Sequence, residues 1–267
     1  MIDTHCHFDV DDFDHDRMAV AERCLANGVE AVVIPGYVAR LWPKLFAVCE
    51  AIPQPRLFAA PGLHPVYIEE HEEAHLQELE RLLQTQAGIV AVGEIGLDYY
   101  VTELKATGLK DKQQAFFRAQ LRLAQRYDKP VILHVRKAHQ DVIPILKEEK
   151  FRNGGIVHAY SGGIEEARAY AKLGFKLGIG GPVTYDQAKR LRSVVEQMPL
   201  AALVLETDAP DMIPAPHRDP AVSRTRNSPE FLPSVAEGMA VVKNTALDVV
   251  LRETRANSIA VLRLPLC

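Results

Sequence analysis

The chain has 267 residues, of which 48% are hydrophobic and 25% are charged, and its net charge is -4 at neutral pH. This composition is typical of a globular protein that is long enough to bury a full core. A slightly acidic chain has no overall basic field that would draw it to nucleic acid, so any such binding must use a local patch. We expect a single domain spanning residues 1–267.

Redox state and localisation are predicted from what the chain lacks. The four cysteines are scattered and form no CxxC pair, which indicates reduced thiols and not a disulfide framework. They are Cys6, Cys24, Cys49 and Cys267. The chain has no basic n-region, no cleavable signal and no long apolar run. We therefore predict a cytoplasmic protein with no membrane association. The sequence shows no apolar surface stripe beyond what the core needs, so we also expect a monomer without an obligate protein partner.

Short apolar runs rich in β-branched residues recur along the chain, and each is followed by a longer amphipathic stretch. Continuous apolar runs are expected of parallel strands that are buried on both faces. Eight runs are predicted as strands: Met1–His5, Ala31–Gly36, Leu57–Leu63, Ile89–Ile95, Pro130–Val135, Gly155–Ala159, Phe175–Gly180 and Ala202–Glu206. Eight strands alternating with helices in a chain of this length predict an α/β fold, a (β/α)8 TIM barrel.

Helical periodicity in the intervening stretches supports the barrel. Residues 112–127 place Phe117, Leu121 and Ala124 on one helical stripe, and residues 72–86 and 163–173 are also predicted to be helices. The alternative is an open, doubly wound sheet, which predicts a glycine-rich phosphate loop after the first strand. Here the first strand ends in His-Cys-His, which favours the barrel.

A long loop follows the eighth predicted strand. Residues 209–229 contain five prolines and three arginines, and long loops at this end of a barrel strand often carry function. The loop ends at Asn227-Ser-Pro-Glu230. That sequence predicts an N-cap, a proline in the first turn and a capping-box glutamate ahead of two final helices.

Two histidines lie at the C-terminal end of the first predicted strand. In a barrel, the C-terminal ends of all strands meet at one rim. His5 and His7 are two residues apart, so both side chains point to the same face and can reach one metal ion. Cys6 between them points the opposite way, towards the helices. An HxH pair alone is a weak signal in a chain with ten histidines.

Four further residues at strand ends strengthen the metal interpretation: Glu94, His134, His158 and Asp208. Four histidines and two carboxylates in one crevice would be costly to bury without compensating cations. Because six ligands exceed one tetrahedral site with an open position, we infer two divalent ions that share a carboxylate. His64, at the end of the third strand, faces the same rim and is a candidate substrate contact. Four other histidines are expected to be solvated: His15, His71, His75 and His139.

Seven motifs occur in order along the chain: IDTHCH, GLHP, VGEIGLD, ILHVR, HAYSG, GIGGPVTY and LVLETDAP. Together they resemble the TatD family of metal-dependent hydrolases and deoxyribonucleases, in the amidohydrolase superfamily of barrels, and especially its YjjV-like branch. The resemblance implies two ions with these ligands: His5, His7, Glu94 and Asp208 for the first, and Glu94, His134 and His158 for the second. One departure is Val135, where many relatives have Ser or Cys, and it should face away from the site.

Two such ions would lower the pKa of a bridging water and neutralise charge on the attacked oxygen. Glu94 and Asp208 are therefore the predicted catalytic residues, with Asp208 as proton acceptor. Arg136 should face the rim, where a guanidinium holds a phosphate well. The competing interpretation of Arg136 is a salt bridge to Asp98 or Glu206.

The leading prediction is a metal-dependent phosphodiesterase, an exonuclease-like deoxyribonuclease that acts transiently on DNA ends or single strands. Arginines of the 209–229 loop and the rings of Tyr99, Tyr100 and Tyr160 would add basic and stacking groups. One alternative is a small-molecule amide, ester or lactone hydrolase with the same binuclear centre, and another is a metal-binding protein without catalysis. The predicted ions are zinc, manganese or magnesium. Histidines combined with carboxylates suit zinc, manganese, iron, cobalt or nickel better than magnesium, whereas the family's nucleases are associated with magnesium or manganese.

Overall fold

Parallel strands alternate with helices along the chain in a computed structural model that describes residues 1–101 and 107–266. The strands of the described residues are β1 Ile2–Asp3, β2 Ala31–Pro35, β3 Arg56–Ala60, β4 Val92–Asp98, β5 Val131–Arg136, β6 Gly155–Val157, β7 Phe175–Ile179 and β8 Leu203–Leu205. The helices are α1 Arg17–Ala26, α2 Trp42–Ala51, α3 Glu73–Thr85, α4 Thr107–Arg126, α5 His139–Glu148, α6 Ile164–Lys172, α7 Lys189–Gln197, α8 Leu232–Lys243 and α9 Leu247–Leu262.

The strands form two parallel sheets, β1 to β3 and β4 to β8, which backbone hydrogen bonds join at both seams. At one seam Ala59 bridges to Ile89, and the N–H of Val90 donates to the Ala59 carbonyl at 3.0 Å. At the other seam the N–H of Thr4 donates to the Leu205 carbonyl at 3.1 Å. The sheet is therefore closed, as the predicted TIM barrel requires, and each predicted strand overlaps an observed one. However, β3 begins one residue before its predicted run, and β4 and β5 end three residues and one residue beyond theirs.

Apolar side chains form an inner layer within the barrel and an outer layer against the helices. In β2, Ala31 and Val33 belong to the inner layer and Val32 and Ile34 to the outer one, because successive side chains of a strand point to opposite faces. Leu262, at the end of α9, joins the inner layer. The outer layer also contains Cys6 and Val135, the two residues expected to face away from the rim, although Val135 also borders a cavity there.

The segment before α8 differs from its prediction. A short 3-10 turn, Pro229–Phe231, follows Ser228, and no side chain caps it. The predicted capping glutamate, Glu230, instead forms an ion pair with Arg23 of α1 at 2.5 Å. The amide of Asn227 donates to backbone carbonyls of the preceding loop. Tertiary partners therefore replace the local capping box that the sequence predicts.

The described cysteines are free thiols: Cys6 and Cys24 are buried and Cys49 is half-buried. Cys267 lies outside the described residues. Within residues 1–101 and 107–266, no helix combines the length and the apolar character needed to cross a bilayer.

Candidate metal centre

Inward-facing positions change from apolar to polar towards the C-terminal ends of the strands. Ile132 and Ile156 belong to the inner apolar layer, and His134 and His158 follow them two residues later on the same faces. Glu206 follows the inner residue of β8 in the same way. The strand register therefore places these polar side chains directly above the apolar layer, at the rim.

His5 and His7 are fixed at the rim by bonds to the segment that follows β8. The N–H of Asp208 donates to the His5 carbonyl, and the N–H of His7 donates to the Ala209 carbonyl, each at 2.9 Å. Below them, the buried carboxylate of Asp3 accepts the backbone N–H of His5 at 3.3 Å. These bonds hold both histidines beside the Asp208 side chain.

Four ligand atoms form a first set. The Nε2 atom of His5 lies 3.2 Å from Nε2 of His7 and 3.2 Å from Oε2 of Glu94. The Oδ1 atom of Asp208 lies 3.4 Å from the same His5 nitrogen and 3.5 Å from that of His7. Ligands that bind a tetrahedral ion at 2.0–2.1 Å lie roughly 3.3 Å from one another. The spacing of this set therefore fits a divalent ion.

A second set surrounds the other oxygen of Glu94. The Oε1 atom lies 2.7 Å from Nδ1 of His134 and 2.7 Å from Nε2 of His158. The Nε2 atom of His64 lies 3.1 Å from the same oxygen and 3.2 Å from Nδ1 of His134. The Nε2 atom of His64 is therefore one of the atoms that can hold an ion. The predicted role of His64 as a substrate contact did not require it to lie so close to the other ligand atoms.

The charges of the site depend on one another. Glu94 is 1% exposed. Its burial opposes ionisation, yet the imidazoles of His158, His64 and His5 hold the pKa of this carboxyl well below its usual range. Burial likewise opposes protonation of His158, but Glu94 raises the pKa of that imidazole to about 10. An ionised Glu94 is therefore stable here only while cations surround it, whether imidazolium or metal.

Several buried polar atoms of the described site have no hydrogen-bond partner: Nδ1 of His5, His7 and His158, and Oε2 of Glu206. Glu206 is fully buried, which raises its pKa to about 8, and its Oε1 atom lies 3.8 Å from Nδ1 of His158. A Cβ on Gly178 would lie 2.0 Å from Oε2 of Glu206, so a larger residue at this position would have to displace the carboxyl. Buried orphan atoms of this kind are rare in proteins and concentrate at functional sites.

Asp98 is a site residue that the sequence analysis did not assign. Its Oδ2 atom lies 2.9 Å from Nε2 of His134, and its Oδ1 atom accepts the backbone N–H of Tyr100 at 2.8 Å. Because Asp98 engages Nε2, His134 presents Nδ1 to Glu94. A signal existed in the sequence: Glu94 and Asp98 are four residues apart in one strand, so their side chains share a face.

Arg136 forms none of the salt bridges that the sequence analysis considered. Its guanidinium lies over the ring of Tyr100, 3.8 Å from the centroid. The salt-bridge interpretation is wrong because Asp98 is engaged by His134 and Glu206 is buried below the rim. Arg136 instead lines a cavity of about 420 Å³, the metal cavity, which also has these lining residues: His134, Val135, His158, Ala159, Ser161, Asp208, Asp211 and Met212.

The sequence matches a known family over nearly its whole length: the TatD_DNase profile, described as TatD related DNase, matches residues 2–263. This chain belongs to the TatD family. Among the relatives of this TatD chain is YjjV of Escherichia coli strain K12, described as an uncharacterized metal-dependent hydrolase. It is 42% identical over 212 residues, which cover 79% of this chain and 80% of YjjV.

Two further matches extend the TatD assignment to the full chain. YabD of Bacillus subtilis strain 168, also described as an uncharacterized metal-dependent hydrolase, is 36% identical over 260 residues, 97% of each chain. The crystal structure of E. coli YjjV superposes with a TM-score of 0.91 at 35% identity, covering 99% of this chain and 98% of that one. The predicted family and barrel are confirmed, and the chain is grouped with metal-dependent hydrolases.

Fewer basic and aromatic groups are available at the rim of this TatD chain than the sequence analysis expected. Tyr99 and Tyr160 are buried, whereas Tyr100 is 52% exposed. Arg224 and Arg226 form ion pairs with carboxylates at 3.1 and 2.6 Å. Of these three rings, Tyr100 is therefore the most exposed, and the two arginines are largely neutralised by local acids.

One of the four histidines expected to be solvated is buried. His71 is 1% exposed, and its Nε2–H donates to the His64 carbonyl at 2.8 Å. Burial lowers the pKa of this imidazole to about 4. His15 is exposed and His75 is half-buried. The amphipathic pattern around residue 71 did not reveal that the short segment before α3 folds inward.

We expect His71 to weaken the fold in acid. Its pKa of about 4 in the folded state lies below the ordinary value of 6.5, so the unfolded chain takes up the proton first as the pH falls below 6.5. The free energy of unfolding should then fall by up to about 3 kcal/mol between pH 6.5 and 4. Urea unfolding of metal-free protein from pH 7.5 to 4 should give a flatter profile for His71→Gln than for the wild type, and parallel profiles would contradict this assignment.

Proposed function

We propose that this TatD chain is a divalent-metal-dependent phosphodiesterase that cleaves polynucleotide ends or single strands, as an exonuclease-like deoxyribonuclease does. The observation that carries the proposal is the position of Glu94, which directs one oxygen to each of two ligand sets beneath a single cavity. A pair of ions suits phosphodiester cleavage because it can stabilise both the attacking and the leaving oxygen.

The proposed ligands follow the two sets. The first ion would be held by His5, His7, Glu94 and Asp208, and the second by Glu94, His134 and His158. His64 lies close enough to complete the second set or to contact the substrate. Four imidazoles combined with two carboxylates favour zinc or manganese over magnesium. When bound, such ions acidify water and offset charge on the attacked phosphoryl oxygen.

Two side chains of the metal cavity are proposed to act on the reacting groups. The Asp208 side chain is 15% exposed and faces the cavity, whereas that of Glu94 is 1% exposed. Asp208 is therefore the carboxylate that can accept the proton of the attacking water. Arg136 offers parallel N–H donors to phosphoryl oxygens, and its stacking on Tyr100 fixes the plane of the guanidinium.

A small-molecule ester, amide or lactone hydrolase is the second candidate. One observation favours it: Arg136 is the one lysine or arginine among the described residues that line the metal cavity, so a neutral substrate would also fit. The salt dependence of KM separates the two substrate classes. A single-stranded polynucleotide should lose affinity with a slope near 0.7 per neutralised phosphate in a double-logarithmic plot, and a neutral ester should show almost no slope.

The direct test is a substrate panel with metal-reconstituted protein. Hydrolysis of single-stranded DNA, double-stranded DNA and RNA is compared with hydrolysis of carboxylic esters, amides and lactones. The proposal expects the polynucleotides to have the highest kcat/KM, and it is wrong if a neutral ester or amide is cleaved faster than every phosphodiester.

Asp98 is proposed to orient His134, and removing its charge should weaken metal binding. The Asp98→Asn variant keeps an acceptor for the backbone N–H of Tyr100 but loses the carboxylate that engages His134. Such partners of metal-binding histidines typically contribute 10- to 100-fold in affinity. Competition with a chromogenic chelator should show an increase in Kd for manganese of about that size. The control Asp248→Asn, on the exposed surface of α9, should leave the Kd unchanged.

A further inference from the structure

A second cavity, of about 270 Å³, lies beside the metal cavity. The two cavities share Ala159, Ser161 and Met212 as lining residues. A ligand bound over the metal centre can therefore extend across this common wall into the second cavity. A substrate that contained only the reacting group would leave the second cavity empty.

The second cavity combines an apolar surface with two cations. Tyr160, Pro182 and Leu191 line it together with the shared Met212. Lys189 and Arg190, on the first turn of α7, line it as well. An apolar surface next to a positive charge suits a planar base that carries a phosphate.

Lys189 and Arg190 are exposed, and within the described part of the chain neither forms an ion pair. Their neighbour Arg192 does so, with Asp186 at 3.5 Å, and it also donates to a backbone carbonyl. The carboxylate of Glu166 lies near Arg190 but accepts the backbone N–H of the loop that precedes α6. Lys189 and Arg190 therefore keep their charge available to an anion, whereas Arg224 of the 209–229 loop is paired with Asp211.

We propose that the second cavity is a subsite for the nucleotide adjoining the scissile linkage, and that Lys189 and Arg190 hold the phosphate of that nucleotide. This inference rests on the proposed phosphodiesterase activity and names the extent of its substrate: two linked nucleotides, one at the metal centre and one in the second cavity, with a further phosphate on the second nucleotide. It gives Lys189 and Arg190 a role in selecting polymers over small diesters.

The test compares two kinds of thymidine trinucleotide with manganese-loaded protein. One has two charged phosphodiester linkages. In the other, a neutral methylphosphonate replaces one of the two linkages, and both positional isomers are prepared. For the isomer whose neutral linkage falls in the second cavity, wild-type kcat/KM should drop about tenfold, because a charge-assisted contact is lost. The double variant Lys189→Gln, Arg190→Gln should no longer discriminate between the charged trinucleotide and that isomer: its kcat/KM should be the same for both.

A matched control removes the same two kinds of charge far from the site. Lys147 and Arg152 are exposed and line a different cavity, at the C-terminal end of α5. Lys147→Gln combined with Arg152→Gln should keep the tenfold discrimination. The slope of log KM against log salt should fall by about 0.7 in the Lys189 and Arg190 variant and not in the control.

The outcomes separate the two proposals. If the double variant keeps the tenfold discrimination, or if the wild type cleaves charged and neutral forms equally well, the subsite is wrong while the phosphodiesterase activity stands. If the wild type cleaves none of the trinucleotides and no other phosphodiester, the proposed function fails, and the subsite that rests on it fails too.

Discussion

Replacing Glu94 with alanine should lower kcat/KM for any hydrolysed phosphodiester by at least about 10³-fold, since each factor of ten corresponds to 1.36 kcal/mol and a metal centre supplies several kcal/mol. Glu94 contributes an oxygen to each ligand set. Its loss should therefore weaken both ions at once, and the metal bound per chain should fall well below that of the wild type. Steady-state kinetics and elemental analysis of the same preparation measure both effects.

The Glu94 prediction needs two further variants. Glu94→Gln keeps the side-chain volume among the histidines and removes only the charge, so it should lose activity to a similar degree while keeping a native circular dichroism spectrum. Glu50→Ala removes an exposed carboxylate at the end of α2 and should behave as the wild type does. Bound metal that is undiminished in a folded Glu94→Ala protein would contradict the shared-carboxylate arrangement.

Replacing Asp208 with alanine should also abolish hydrolysis, by a comparable factor, but with a different effect on metal content. Asp208 belongs only to the first set, so the second set of Glu94, His134 and His158 stays intact. This variant should keep about one tightly bound ion and lose the carboxylate that accepts the proton of water. Metal titration followed by calorimetry would resolve the remaining site.

The backbone conformation of Asp208 determines which substitution is the better control. It has a left-handed conformation, with φ of 54°, and its N–H bonds to the His5 carbonyl. Aspartate and asparagine tolerate this conformation better than alanine does, so Asp208→Asn is the variant that keeps the local fold. A folded Asp208→Asn or Asp208→Ala protein that retains wild-type hydrolysis would rule out the proposed mechanism.

Much of the barrel and of its rim could be predicted because both follow from local sequence pattern. Buried parallel strands produce continuous apolar runs, and each of the eight runs overlaps one of the eight observed strands. Once a strand is known, the two-residue period fixes which side chains share a face. This period predicts that His134 follows Ile132 on one face and that His5 and His7 share another. In the structure β1 ends at Asp3, and backbone bonds to the segment after β8 hold the two histidines side by side.

The remaining features depend on partners that are distant in the chain. Arg136 stacks on Tyr100, and Asp98 contacts His134. Both contacts form where β4 pairs with β5. Glu230 pairs with Arg23, more than two hundred residues away, in place of capping its own turn. The periodicity of apolar residues in the sequence does not predict such pairings, because they depend on how the helices and loops pack around the closed barrel.

The central claim, a pair of divalent ions that drives phosphodiester hydrolysis, is tested most directly by one titration. Metal-free protein is titrated with manganese while bound metal and the rate of single-stranded DNA hydrolysis are measured on the same samples. We expect no hydrolysis without metal and a rate that reaches its plateau when two ions are bound per chain. Full activity in the metal-free protein, or a plateau reached with a single bound ion, would contradict the account.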